Sequence, residues 1–454
     1  MWIERKDKRE EFLHTLHELK SQVIVVRGAR QVGKTSFIVR MLESRKECQN
    51  IKLNLAYTGK ITLEGREYYG RDFFGKEPSG EELIRNLELT LGKPEAKENS
   101  TLLFIDEADQ YPLSLEAIQT CAEYSPKLKV IITGSNLENI KVCNVATGRR
   151  RYFDLYPLSF YEFLNAYNQQ RLYTYVCSLS LKDKKFSTAF HNELMNIYDL
   201  YLKLGGMPKL ITSFIDESID NQNIPQIISD LASSIEENVK SILDEKVKLY
   251  EYDDVLRKIA LLSSNTLKFS KLQVRHATRS EAKQLVIKTV GARVAHKIRL
   301  FESGSDLSKY IIFDSGILNY FLNGSDLLNQ KISEHYLGMM YETAVGLEII
   351  RKLYSRDDLF YWKSNRGAEV EYFLRSPYQI GIDVKSTRGD TKSLDSLANF
   401  EKDVSYIVKV NKEEPSLNLN HKAKVPFLHL ERKISLLTIP HYLSARLFEL
   451  LNEF

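Results

Sequence analysis

One stretch near the start of the chain, Gly28-Ala29-Arg30-Gln31-Val32-Gly33-Lys34-Thr35, has the residue types and spacing of a phosphate-holding loop. Its glycines let the backbone wrap so that N–H groups point inward, and the helix opening there adds partial positive charge. In that chemistry Lys34 reaches the β- and γ-phosphates and the Thr35 hydroxyl holds Mg²⁺. The nucleotide-binding set is then Gly28, Ala29, Arg30, Gln31, Val32, Gly33, Lys34, Thr35 and Ser36, with ATP and Mg²⁺ as cofactors. The competing reading is a glycine turn before an ordinary helix. An apolar strand ahead of the loop and a helical pattern behind it favour the phosphate loop.

A second group follows at Leu102-Leu-Phe-Ile-Asp106-Glu107. An apolar strand ending in two acids places carboxylates at the sheet edge where ligands bind. Asp106 would hold Mg²⁺ through water, and Glu107 would orient and deprotonate the attacking water. Val130-Ile-Ile-Thr133-Gly134-Ser135-Asn136 is a third buried strand with a polar exit. Ser135 or Asn136 could touch the γ-phosphate or the lytic water, although such residues are also ordinary strand-exit residues. Gly148-Arg149-Arg150-Arg151 reads either as a source of an arginine finger or as a solvated loop.

The last third carries another constellation. Glu342 lies in a helical stretch, Glu369-Val-Glu371 alternates like a strand, and Asp383-Val-Lys385 puts an acid and a lysine on one face of another strand. Three carboxylates and a lysine could meet there. Glu371 and Asp383 would be ligands to a hard divalent cation, Glu342 a third carboxylate, and Lys385 a group positioning the nucleophile. The bland reading is acid–apolar alternation on an amphipathic sheet.

The elements that must position these groups follow from pattern. Over the first ~165 residues, strands near 22–27, 51–55, 101–105 and 128–132 alternate with helices ending near 42, 91 and 124, which implies a parallel sheet with crossover helices. From Leu158 to about Leu249 the pattern is mostly helical, broken at Gly205-Gly206-Met207-Pro208. A helix from about Gly338 leads into strands at Leu359–Lys363, Val370–Leu374 and Gln379–Lys385, and Tyr442–Phe454 reads as a closing helix. The segment between carries nine basic residues, Lys268, Lys271, Arg275, Arg279, Lys283, Lys288, Arg293, Lys297 and Arg299, against the single acid Glu281. It is either a DNA- or RNA-backbone contact, or an internal counterpart to the acidic Ser213–Asp254 stretch or a solvated face.

At 454 residues the chain is long enough for about three domains. Its 43% hydrophobic and 27% charged content argues against wholesale disorder. No apolar run approaches the ~18 residues of a membrane span, and the charged start is unlike a secretory signal. Cys48, Cys121, Cys143 and Cys177 lie far apart with no CxxC, as expected in a reducing cytoplasm. No histidine pair has zinc spacing.

The Gly28–Thr35 loop, Leu102–Asp109, Thr133-Gly-Ser, Gly148-Arg149 leading to Leu155-Tyr-Pro157-Leu158-Ser159-Phe160, and Gly205-Gly206-Met207-Pro208 together resemble a family of prokaryotic AAA-type P-loop ATPases that often carries a C-terminal domain of unknown function. The resemblance implies an α/β fold: an ATPase core over 1–165, a helical lid over 166–250, a winged-helix-like basic segment over 251–330 and a smaller α/β domain over 331–454. It favours Arg149 as the finger, supplied in trans if the protein is a homo-oligomeric motor. The acids and lysine of the last domain resemble the restriction-endonuclease-like signature, a strand carboxylate followed by (D/E)xK. Here Glu371 and Asp383 stand where Asp and Glu are usual. The expected function is a Mg²⁺-dependent ATPase coupled to a nuclease-like domain. The alternative is a nucleotide-dependent switch whose C-terminal domain only binds.

Overall fold

The computed structural model describes residues 2–453 except 20–21, 47, 64–65, 92–100, 125–127, 140–149, 183–185, 217–222, 242–248, 268–277, 303–306, 330, 377 and 426–427. The N-terminal part runs α1 (Lys6–Glu18), β1 (Val23–Arg27), α2 (Lys34–Glu43), β2 (Gln49–Asn54), a hairpin of β3 (Lys60–Leu63) and β4 (Arg66–Tyr69), α3 (Gly80–Leu91), β5 (Thr101–Asp106), α4 (Ser114–Tyr124), β6 (Leu128–Thr133) and β7 (Arg150–Asp154). β1, β2, β5, β6 and β7 form one parallel sheet in the order β2-β5-β6-β1-β7. Its central strands are largely apolar and buried because helices cover both faces. The expected alternation is therefore present, and α1 and the β3–β4 hairpin are additions to it.

Two features of this sheet position the site. β6 inserts between β1 and β5, so Thr133 lies beside the end of the acidic strand. Phe12 of α1, Phe37 of α2 and Phe153 of β7 form a cluster with ring centroids 5.2–5.7 Å apart. That cluster clamps the helix after the phosphate loop against the sheet.

A helical run follows: α5 (Phe160–Ala166), α6 (Gln170–Ser178), α7 (Thr188–Leu204), α8 (Pro208–Ile215) and α9 (Ile224–Lys240). Gly205 and Gly206 separate α7 from α8, as the Gly-Gly-Met-Pro break implies. Each glycine is there because no side chain fits. A Cβ on Gly206 would lie 2.1 Å from the Leu158 carbonyl oxygen, and one on Gly205, at φ +74°, would lie 2.1 Å from the Asp314 carboxylate.

Next come α10 (Leu249–Leu261), β8 (Thr266–Leu267), α11 (Arg279–Gly291), β9 (Ala295–Leu300), β10 (Ser308–Ile312), α12 (Ser315–Asn323) and α13 (Glu334–Lys352). The chain continues through β11 (Leu359–Lys363), β12 (Glu369–Leu374), β13 (Gln379–Val384), α14 (Lys392–Phe400), β14 (Val404–Asn411), β15 (Ser416–Val425), β16 (Leu430–Pro440) and α15 (Leu447–Leu451). A second, mixed sheet has the order β15-β16-β14-β13-β12-β11-β9-β10-β8. The parallel pair β9–β11 carries it across residue 330, so the segment before that position and the segment after it share one sheet.

The tail departs from expectation. Instead of one helix over 442–454, His441–Arg446 is a 3₁₀ turn and only Leu447–Leu451 is α-helical. Tyr442 and Leu443 are buried, and Arg446 donates to the carbonyls of Val176 and Leu179 at 2.5 and 2.7 Å. Those anchors fix the turn before a regular helix can start. Among the described residues no helix is long and apolar enough to cross a membrane.

Candidate functional site

The phosphate loop is shaped by backbone conformations that side chains disfavour. Gln31 and Gly33 have φ of +65° and +89°. Gly28 packs so closely that a Cβ would lie 2.2 Å from the Leu155 carbonyl oxygen. Gly33 caps α2, whose first residue is Lys34. Lys34 is buried, and its Nζ donates to the carbonyls of Gly28 and Ala29, both at 2.9 Å. Burial pulls its pKa down to about 8, against the pull of Glu107, Asp109 and Asp106. Ala29 and Val32 point into the core, while Arg30, Gln31 and Ser36 are exposed.

Asp106 is the hub. Its Oδ1 accepts from the Thr35 hydroxyl at 3.0 Å, from the Thr133 hydroxyl, and from the Glu107 N–H at 3.2 Å. Thr35 and Asp106, named for one metal from positions 71 residues apart, are thus neighbours. Glu107 follows in the left-handed region, φ +51°, which turns it off the strand axis. Burial first, then Asp109 and Asp106, push its pKa up.

Sequence reasoning names Thr133 only as a landmark and gives Asp109 no role. Asp109 is buried with a raised pKa, chiefly from desolvation. It accepts the Asn136 N–H at 3.0 Å and also a backbone bond from Ser135. A Cβ on Gly134 would lie 2.4 Å from it, so the Thr-Gly-Ser-Asn exit is packed around this carboxylate. Ser135 and Asn136 thus meet Asp109 through their backbones. The Asn136 amide donates to the backbone and side-chain oxygens of Asn238 in α9, at 3.1 and 3.0 Å. Gln31 also reaches α9, donating to Ser234 at 2.7 Å. No local pattern could have signalled these contacts, which span 102 and 203 residues. Arg149 lies outside the described residues. Arg150 and Arg151 open β7, and Arg151 pairs with Glu18 at 3.2 Å.

The C-terminal cluster assembles as the strand pattern implies. Lys385 Nζ donates to Asp383 Oδ1 at 2.8 Å and lies 3.9 Å from Glu371. Glu371 accepts the Val384 N–H at 3.2 Å. Burial, then Glu371, raises the pKa of Asp383 and of Glu342 on α13 far above the carboxylate range. Glu369 turns elsewhere, pairing with the buried Lys309 at 2.6 Å and with Lys363 at 2.9 Å. Among the described residues, no three His, Cys, Asp or Glu side chains are grouped so as to hold a metal ion. The lysine ammonium already occupies one oxygen of Asp383.

The basic stretch divides. Lys268, Lys271 and Arg275 lie outside the described residues. Arg293 is 6% exposed and serves internal carboxylates, which removes it from a surface contact. Arg299 pairs with Asp357. Arg279 and Lys297 are exposed.

No curated protein matches the chain. One chain of the structure of Drosophila ORC bound to DNA aligns at 15% identity and a TM-score of 0.27, covering 70% of this chain and 86% of that one. Residues 337–428 match the family model of a domain of unknown function (DUF4143), and residues 20–164, which carry the phosphate loop and the Asp106 hub, match the family model of an AAA domain.

Proposed function

We propose that the chain is a Mg²⁺-dependent ATPase whose nucleotide state is felt by its C-terminal part. The observation that carries this is the meeting of Thr35, Asp106 and Thr133 beneath a glycine-shaped loop bearing Lys34. The donor set, two hydroxyls and a carboxylate, suits a hard divalent cation. Thr35 and Asp106 would hold it, and bound Mg²⁺ would draw charge from the phosphates.

The residues then divide the work. Backbone N–H groups of Gly28–Thr35 bind the phosphates. Lys34 leaves the two carbonyls for the β- and γ-oxygens. Glu107, beside Asp106 and with a raised pKa, takes the proton of the attacking water. Asn136 would exchange its bonds to Asn238 for one to the γ-phosphate or the lytic water.

For the C-terminal cluster we favour the binding-only reading, because Lys385 donates to one oxygen of Asp383 while burial and Glu371 hold that carboxyl above the usual range, which disfavours the ionised form a cation needs.

The test is ATP hydrolysis and ATP binding by purified full-length protein. Lys34→Ala should lose both. Glu107→Gln should bind ATP but turn it over about 10²–10⁴-fold more slowly. Equal turnover by Glu107→Gln and the parent would sink the assignment of the base. The same preparation, given DNA and RNA in Mg²⁺ or Mn²⁺, should cut neither. Cleavage lost on Asp383→Ala, Lys385→Ala would restore the nuclease reading.

A further inference from the structure

Arg27 immediately precedes Gly28 and ends β1 beside Asp154, the last residue of β7. Its Nε and Nη2 donate to the two Asp154 oxygens at 2.7 and 2.9 Å, and its Nη1 donates to Glu138 at 2.9 Å. Glu138 sits two residues beyond Asn136. Across from them is Arg293, in the turn between α11 and β9. Its Nε donates to Glu138 at 2.7 Å, its Nη2 donates to the other Glu138 oxygen, and it lies 3.6 Å from Asp154. Arg356, just before β11, reaches Asp154 at 3.4 Å and the Tyr156 hydroxyl at 2.9 Å. Three guanidinium groups on two carboxylates thus tie the loops around the phosphate site to β9 and β11 of the second sheet.

Arg293 has the strongest grip. It is 6% exposed, bidentate to Glu138, and at φ +63°, a left-handed conformation uncommon for a residue with a side chain. Both carboxylates it contacts lie next to segments that touch the site. Glu138 tethers the exit of β6, which carries Ser135 and Asn136. Asp154 precedes Leu155, whose N–H donates to the Arg27 carbonyl at 2.8 Å and whose carbonyl packs on Gly28.

We infer that Arg293 is a positioning residue for the nucleotide site, through which the second sheet and the phosphate loop set one another's geometry. This rests on the nucleotide-binding reading above. Nucleotide that tightens the loop must then tighten β9, and loss of Arg293 must weaken nucleotide by the same coupling.

The experiment is hydrogen exchange of the full chain with and without Mg²⁺-ATP, beside titration of ATP affinity. In the parent, ATP should slow exchange both in residues 28–43 and in 295–300. In Arg293→Met, slowing should persist at 28–43 and vanish at 295–300, with ATP affinity down about fivefold or more. Arg293→Lys keeps the charge without the fork and should fall between. If Arg293→Met does not fold, Glu138→Gln loosens the same contact from the other side. Slowing at 28–43 without slowing at 295–300 in the parent, or unchanged coupling in the variants, overturns the inference alone. ATP that slows exchange nowhere overturns the nucleotide reading and this inference with it.

Discussion

At the scale of the residue, the chemistry of the N-terminal site turns on a lysine that is buried yet must carry charge. Lys34 has its pKa drawn down to about 8 by burial. As pH rises through 8 it loses the proton that attracts phosphate, whereas an ordinary lysine would keep it to about 10. ATP affinity should therefore fall as pH rises from 7.5 to 9, after correction for the nucleotide's own ionisation. Lys34→Arg, which cannot deprotonate, should bind more weakly at pH 7.5 but lose nothing further by pH 9. Parallel curves for the two proteins would show that Lys34 keeps an ordinary pKa. This residue, with Thr35, Asp106 and Glu107, is legible in the sequence because the spacing GxxxxGKT and a strand ending in Asp-Glu are local patterns. Asp109, Thr133 and the Asn136–Asn238 pair are not. Their meaning depends on which strand lies next to which, and no window of neighbouring residues carries that.

At the scale of the element, periodicity locates seven of the sixteen described strands, β1, β2, β5, β6, β11, β12 and β13, and helices α2–α9 and α13, and glycines show where elements meet. The Gly205-Gly206 break is visible as an interruption, but its cause is tertiary. Gly206 lies against Leu158, whose N–H donates to the Gly206 carbonyl at 2.7 Å, while the Gly206 N–H donates to Asp314 at 2.7 Å. Three segments cross there, from β7 to α5, α7 to α8, and β10 to α12. A methyl group on Gly206 would run into the Leu158 backbone at this crossing, so Gly206→Ala should lower stability by about 2–3 kcal/mol in urea unfolding. Gly338, inside α13, has nothing within 4 Å of its notional Cβ. Alanine there should stabilise by about 0.5–1 kcal/mol. Equal effects at both glycines would refute the packing argument. The tail shows the opposite limit. Tyr442–Phe454 has helical spacing, yet anchoring of His441–Arg446 by distant carbonyls overrides it. Likewise β15 and β16 carry too weak an alternation to be read, since much of β15 is exposed.

At the scale of the whole molecule, the buried titratable groups pull stability in opposite directions with pH. His296 and His441 are fully enclosed, and burial lowers both pKa values to about 3. Unfolded, they take protons near 6.5. Between about 3 and 6.5 the unfolded chain therefore binds more protons, and the histidine contribution to stability rises with pH and is complete above 6.5. Glu342 has the reverse sign. Burial and Glu371 raise it to about 8, so between the usual carboxylate pKa and 8 the folded chain holds the extra proton. Its contribution is present at low pH and is lost as pH rises through 8. The two effects oppose each other from pH 5 to 6.5, and above 6.5 the raised carboxyls act, Glu342 together with Asp383, which burial and Glu371 push up to about 9. Urea midpoints of the parent should thus fall between pH 6.5 and 8, and Glu342→Gln should make that limb shallower while leaving the share that Asp383 contributes. His441→Gln should instead remove its own part of the histidine slope between pH 5 and 6.5, leave the His296 part, and leave the upper limb alone. His441 makes the comparison local to the second sheet, because its Nε2 lies 3.0 Å from the Lys385 carbonyl and its ring centroid 4.1 Å from that of Tyr341, next to Glu342. If Glu342→Gln and the parent lose stability in parallel from pH 6.5 to 8, the extra proton of the folded state does not reside on Glu342.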